Sequence, residues 1–168
     1  MTVPVEVLRL HVRYTRWASM RLVDAASKLP PADLTRDFRH ADKSVLGTLV
    51  HTFAADRVWM TRIDSSPARF LDPATDMHLA VLQHDWPVLL DRLCAWVDAL
   101  KEPLAEISYV DLRGTPHTTP LWQVVLHVVN HGTHHRGQVS AMLRAMGHVP
   151  PQLDLIAFYR ELAAARAI

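Results

Sequence analysis

LWQVVLHVVNHGTHHRGQVSAMLRAM, residues 121–146, is the stretch whose reading decides the architecture. Its apolar residues recur every three to four positions, which is the spacing of a helix with one buried face. The same stretch carries four histidines, His127, His131, His134 and His135. Each helical residue turns about 100°, so residues four apart lie one above the other. His127, His131 and His135 therefore form a ladder on one face. A long amphipathic helix cannot bury its apolar face alone, so it needs partner helices, and the rest of the chain supplies them.

Val5 to Lys28 has apolar residues at Val7, Leu8, Val12, Leu22 and Val23, a pattern for a first helix opened by Thr2 and Pro4 and ended by Leu29-Pro30-Pro31. Ala32 to Lys43 reads as a polar connection. Ser44 is a good N-cap for a second helix over Val45–Ile63, stopped by Asp64-Ser65-Ser66-Pro67. Ala68 to Asp76 reads as a loop. Met77 to Leu100 returns to helical spacing, with Pro87 either kinking the helix or marking its first turn. Ile107 to Thr119 is β-prone around Leu112-Arg113-Gly114 and predicts a short hairpin. Thr119-Pro120 suits an N-cap and N1 pair for the fourth long helix, and Gly147 a C′ glycine. Ile156 to Arg166 can form a closing helix. The expected fold is all-α: a four-helix bundle over residues 1–168 as one domain, with a short β-hairpin before the last long helix.

Composition narrows the function. A net charge of +1 gives no electrostatic footprint for nucleic acid or an anionic membrane. No uninterrupted apolar run approaches the length of a membrane span. The N-terminus carries charges every few residues, unlike a signal peptide. Cys94 is the only cysteine, which excludes an internal disulfide and fits a cytoplasmic setting; its apolar neighbours suggest an inert core thiol. With 5 glycines and no glycine-rich loop motif, a nucleotide-phosphate cradle is not expected. The 11 histidines are the compositional outlier.

Imidazole is the commonest protein ligand for zinc, nickel, copper and iron, and a bundle builds metal sites from facing helices. The fourth helix offers His131 with His135, or His127 with His131. The best third ligand is His51, whose neighbours at helical spacing, Gly47, Ala54, Ala55 and Val58, are small or apolar. A lone histidine there is ordinarily a core residue satisfied by a carbonyl or carboxylate. The HxxxH pair shifts the balance toward a metal. Relative to His131, His134 points about 60° away and Gln138 about 20°, so Gln138 can reach the same cavity. Gly132 is expected to let another helix approach. Asp56 lies about 140° round the helix from His51 and should not share its cavity. No glutamate accompanies the pair, so the HExxH protease reading is poor. Three neutral ligands leave positions at which an ion can activate water or a thiol. The alternative is a non-catalytic metal-binding stress-response protein, and a third possibility is a bundle without metal.

HVVNHGTHHRGQVSAMLRAMG, with Asp154 and Tyr159 after it, resembles the C-terminal motif of the DinB family, related to the YfiT-like proteins and thiol-dependent S-transferases. YTRWASMRLVDAASKLP and SVLGTLVHTFAADRVWMTRI resemble the family's two N-terminal helices. The resemblance implies up-down-down-up connectivity and a homodimer. It also implies a divalent metal held by His51, His131 and His135, which leaves His127 and His134 as supporting or packing residues. Zinc or nickel is expected, with manganese or iron as further options. A small-molecule substrate is implied, with a low-molecular-weight thiol as cosubstrate in some relatives.

Overall fold

The computed structural model describes residues 3–67 and 69–165. Thr2, read as part of the first helix start, Ala68, read as the start of a loop, and Arg166, read as the end of the last helix, lie outside the described residues. In chain order the elements are α1 (Val5–Ser27), α2 (Pro31–Leu34), α3 (Val45–Ile63), α4 (Pro73–Asp76), α5 (Leu79–Ala99), β1 (Glu106–Val110), β2 (Pro116–Pro120), α6 (Leu121–Ala145) and α7 (Leu155–Ala165).

The four long helices form a bundle in which α1 and α3 each pack against both α5 and α6. Side-chain pairs give their directions. Arg16 reaches Asp91 and Arg13 reaches Asp98, so α1 and α5 run antiparallel. Asp56 accepts from Trp86 and Asp64 accepts from Arg92, so α3 and α5 run parallel. The Trp59 ring meets His127 and the His51 ring meets His135, so α3 and α6 run antiparallel. The order is therefore up, down, down, up. Two parallel neighbours in sequence demand a return over the full length of α3, about 28 Å for its 19 residues. Residues 64–67 and 69–78, including α4, lie on that return, and Phe70, Leu71 and Pro73 form one wall of the cavity described below.

Several local expectations are met for the stated physical reasons. The Ser44 hydroxyl accepts from the Gly47 N–H and starts α3 at Val45. Gly147 has φ +83°, with its N–H bonded to Arg144 O and the His148 N–H to Leu143 O, which closes α6 in a Schellman motif. β1 and β2 pair antiparallel, Ile107 opposite Thr119. The start of α6 differs: Pro120 is the N-cap, Leu121 the first helical residue, and Thr119 still belongs to β2. Strand pairing holds Thr119 one residue too early to cap the helix. Pro87 lies inside α5, well after its first turn, so the looser-start alternative does not apply. The two polar connections each contain a one-turn helix opened by proline, at Pro31 and Pro73.

Leu22, Val45, Leu49, Val50, Phe53, Leu82, Trp86, Leu90, Val97, Val125 and Leu143 are buried in one core. A satellite cluster of Tyr14, Ala18 and Phe158 docks α7 onto α1. There the Tyr14 hydroxyl donates to Leu153 O at 2.8 Å and the Trp17 N–H to Glu161. Gly132 answers a different need from the expected helix approach. A Cβ there would lie 2.8 Å from the Arg136 guanidinium, so glycine makes room for a buried arginine of its own helix.

Asp56 faces the core, away from the histidines, and accepts from the Trp86 indole N–H at 2.9 Å. Burial pushes its carboxyl up to about 7 from 3.8, opposed by the Trp86 bond and the Arg136 charge. An acid raised in the folded state contributes stability that is full below pH 3.8 and is lost as pH rises through about 7. Replacing it by asparagine removes that dependence. Between pH 5 and pH 8 the denaturation free energy of Asp56→Asn should gain about 2 to 3 kcal/mol on wild type, at ~1.36 kcal/mol per pH unit up to the folded pKa. Chemical denaturation of both proteins at the two pH values, without metal, measures this. A difference that does not change with pH would show that Asp56 stays ionised in the fold.

Candidate metal centre

His131 and His135 lie one turn apart on α6, and α3 brings His51 opposite them. The His135 and His131 Nε2 atoms are 3.1 Å apart, and the His51 and His131 Nε2 atoms 3.3 Å. One ligand-capable atom from each of the three lies within 4.8 Å of the others. Two imidazole nitrogens on a tetrahedral ion at ~2.0–2.1 Å sit about 3.3 Å apart, so the donor set matches in chemistry and in spacing.

Two of the three outer nitrogens, those of His135 and His51, have a polar group beside them. Gln138 Oε1 accepts the His135 Nδ1 proton at 2.7 Å, leaving the Nε2 lone pair turned inward. Asp42 lies beside His51 and His135, with Oδ1 3.5 Å from His51 Nδ1 and Oδ2 3.9 Å from His135 Nδ1. The His135 side chain is 10% exposed and that of His51 45%, so the cluster has a buried and an open side. Burial, reinforced by the neighbouring imidazoles, pushes His131 down to about 4. Burial also lowers His135, although its Gln138 bond opposes this. Both rings are therefore neutral at pH 7, the form that can coordinate.

Asp42 was not singled out in the sequence, where it is one charge among several in a polar connection. Its place depends on two backbone features. Arg39 and Lys43 hold left-handed φ values of 59° and 62°, and the Asp42 N–H donates to His40 Nδ1. Gly47, one turn before His51, has no side chain, and a Cβ there would stand 2.0 Å from the Asp42 carbonyl oxygen. In the sequence, Gly47 stands out only as a small neighbour of His51. Only the folded loop reveals what it makes room for.

The other histidines of α6 take separate positions. His127 stacks on His131 with ring centroids 5.7 Å apart and meets the edge of Trp59 at 5.2 Å; burial, then the Arg62 charge, lowers its pKa. His134 is exposed and stands edge-on to His135 at 5.0 Å. Asp56 is turned away, as its angular position required. Cys94 is half-buried against the core, and burial raises its thiol pKa.

A cavity of about 860 Å³ opens on the exposed side of the cluster. It runs from His51 and His131 along Ala55, Val58 and Trp59 of α3 to the β1–β2 turn. Its outer wall, Phe70, Leu71 and Pro73, is pinned by the buried Arg57–Asp76 ion pair at 2.7 Å, while Arg57 also donates to Phe70 O. Among the described residues, no helix is long and apolar enough to cross a membrane.

Comparison with known proteins places the chain in a family. The DinB family profile matches residues 1–165. The chain is also similar to Protein DinB of Bacillus subtilis (strain 168), at 24% identity over 157 residues, covering 84% of this chain and 87% of the relative. Fold, histidine cluster and family profile converge, and the chain belongs to the DinB family.

Proposed function

We propose that this protein holds one divalent metal ion on His51, His131 and His135 and uses it enzymatically on a small-molecule substrate. The observation that carries the reading is the convergence of three Nε2 atoms with the outer nitrogens of His51 and His135 facing Asp42 and Gln138. A set of imidazoles alone favours zinc or nickel, with iron next and manganese, which prefers oxygen, last. Such an ion supplies Lewis acidity, lowering the pKa of a thiol or water that meets it.

The chain's own residues do the rest. Asp42 and Gln138 orient the ligand rings. His127, beside His131 on the cavity wall, is the imidazole placed to take a proton from the attacking thiol or water. In the thiol case its sulfur bonds to a small electrophile and the leaving group departs with the electron pair. The apolar cavity wall keeps competing water from the electrophile.

Tag-free wild type should carry about one ion per chain by elemental analysis, and His51→Ala, His131→Ala and His135→Ala should each lose it. Chelation should lower the melting temperature of wild type and leave the variants unmoved, because a ligand that binds only the native state stabilises it. Metal-loaded wild type should then consume a low-molecular-weight thiol with an alkylating electrophile, and His51→Ala should not. Full metal content in the histidine variants would sink the site, whereas full loading without turnover would sink only the enzyme.

Asp42→Ala should weaken metal affinity by about 10- to 100-fold while keeping the helical circular dichroism spectrum. Gly47→Ala should act in the same direction by displacing the Asp42 loop. Competition with a chelator of known affinity measures both, and unchanged affinity would mean that the carboxylate does not orient His51.

A further inference from the structure

The cavity has two chemically different ends. At one lie the histidines. At the other Arg62 is half-buried, its guanidinium 4.5 Å from the Trp59 ring centroid and 4.5 Å from that of Tyr109. Among the described residues its one side-chain hydrogen bond goes to the Val110 carbonyl at 3.4 Å, and it forms no ion pair. Five charged side chains line the cavity: Asp42, Lys43, Arg62, Asp111 and Arg113. The two acids are engaged. Asp42 faces His51 and His135, and Asp111 accepts from His117 and from the Arg113 and Thr115 N–H groups. Three cations against two carboxylates leave the lining one positive charge in excess; Asp111 is near enough to act on the Arg62 charge, and Arg62 is the cation held in place by packing.

Between the ends the wall is apolar, formed by Ala55, Val58 and Trp59 on α3 and by Phe70, Leu71 and Leu112 opposite. Phe70 is 59% exposed and Leu112 72%, a large amount of apolar surface to leave facing one cleft. Arg62 follows His51 by three helical turns, about 16 Å along the axis. The cavity therefore accepts an extended molecule, and its volume lies in the range of small-molecule sites.

From this arrangement we propose that the substrate is an elongated, largely apolar molecule with a terminal carboxylate, which Arg62 binds while the other end meets the histidines. This rests on the reading of the histidine cluster as the reacting end. The planar guanidinium, braced by two aromatic rings, has donor edges free for a bidentate carboxylate, which a lysine could not match. The apolar wall accounts for the length between the two ends, and it raises the value of one charge-assisted bond by excluding water.

The test uses zinc-loaded protein with 6-phenylhexanoate and its neutral analogue 6-phenylhexanamide, binding followed by calorimetry and zinc content read on every sample. Wild type should bind the acid about tenfold or more tightly than the amide. Arg62→Gln should remove that preference at unchanged zinc content, and Arg62→Lys should restore part of it. Equal binding of acid and amide by wild type, or a preference that survives Arg62→Gln, overturns the assignment. A preference lost instead in zinc-free His131→Ala, with Arg62 intact, means that the carboxylate goes to the metal, and this overturns it as well. Absence of zinc from wild type is a separate result, which rejects the histidine site and not the Arg62 end.

Discussion

Antiparallel packing of α3 on α6 forces three imidazoles together where water reaches them from one side only. A buried imidazole cannot be left with an unanswered nitrogen without cost. Here the outer nitrogens of His51 and His135 face Asp42 and Gln138, and the inner ones face each other. The same burial that makes the cluster costly lowers the pKa of His131 and His135 and so keeps those two rings neutral.

The bundle's connectivity follows from that contact as much as from the core. Because α3 and α5 run parallel, the chain must cross the length of the molecule between them. The crossover passes over the open side of the histidine cluster and becomes a cavity wall, locked by Arg57 and Asp76, two buried charges that need each other. In a simple up-down-up-down bundle a short turn would suffice, and the cleft would lack that wall. The β-hairpin closes the far end and brings Tyr109 against Trp59 and Arg62. Two connecting segments and one helix face thus make a compartment from surfaces that the core leaves unused.

Much of the site was legible because helical geometry is local. A fixed rotation per residue set His131 and His135 on one face, separated Asp56 from His51 and put Gln138 within reach of the outer nitrogen of His135. Ser44 marked the first turn of α3 to the residue. Positions governed by packing were harder to read. Gly132 looked like a contact between helices and turned out to accommodate Arg136. Thr119 looked like a cap and is held in a strand by its pairing with Ile107.

The four long helices, the hairpin, the apolar faces that must be buried and the histidine ladder could be read along the chain, since each depends on residues within a few turns of one another. It took the packed fold to set Asp42 beside His51 and His135, Arg62 at the opposite end of the cleft, and Phe70 and Leu112 in its lining. Those placements depend on loops whose paths are set by how the helices pack. The spacing along a chain carries angles within one helix, and it carries no distances between two.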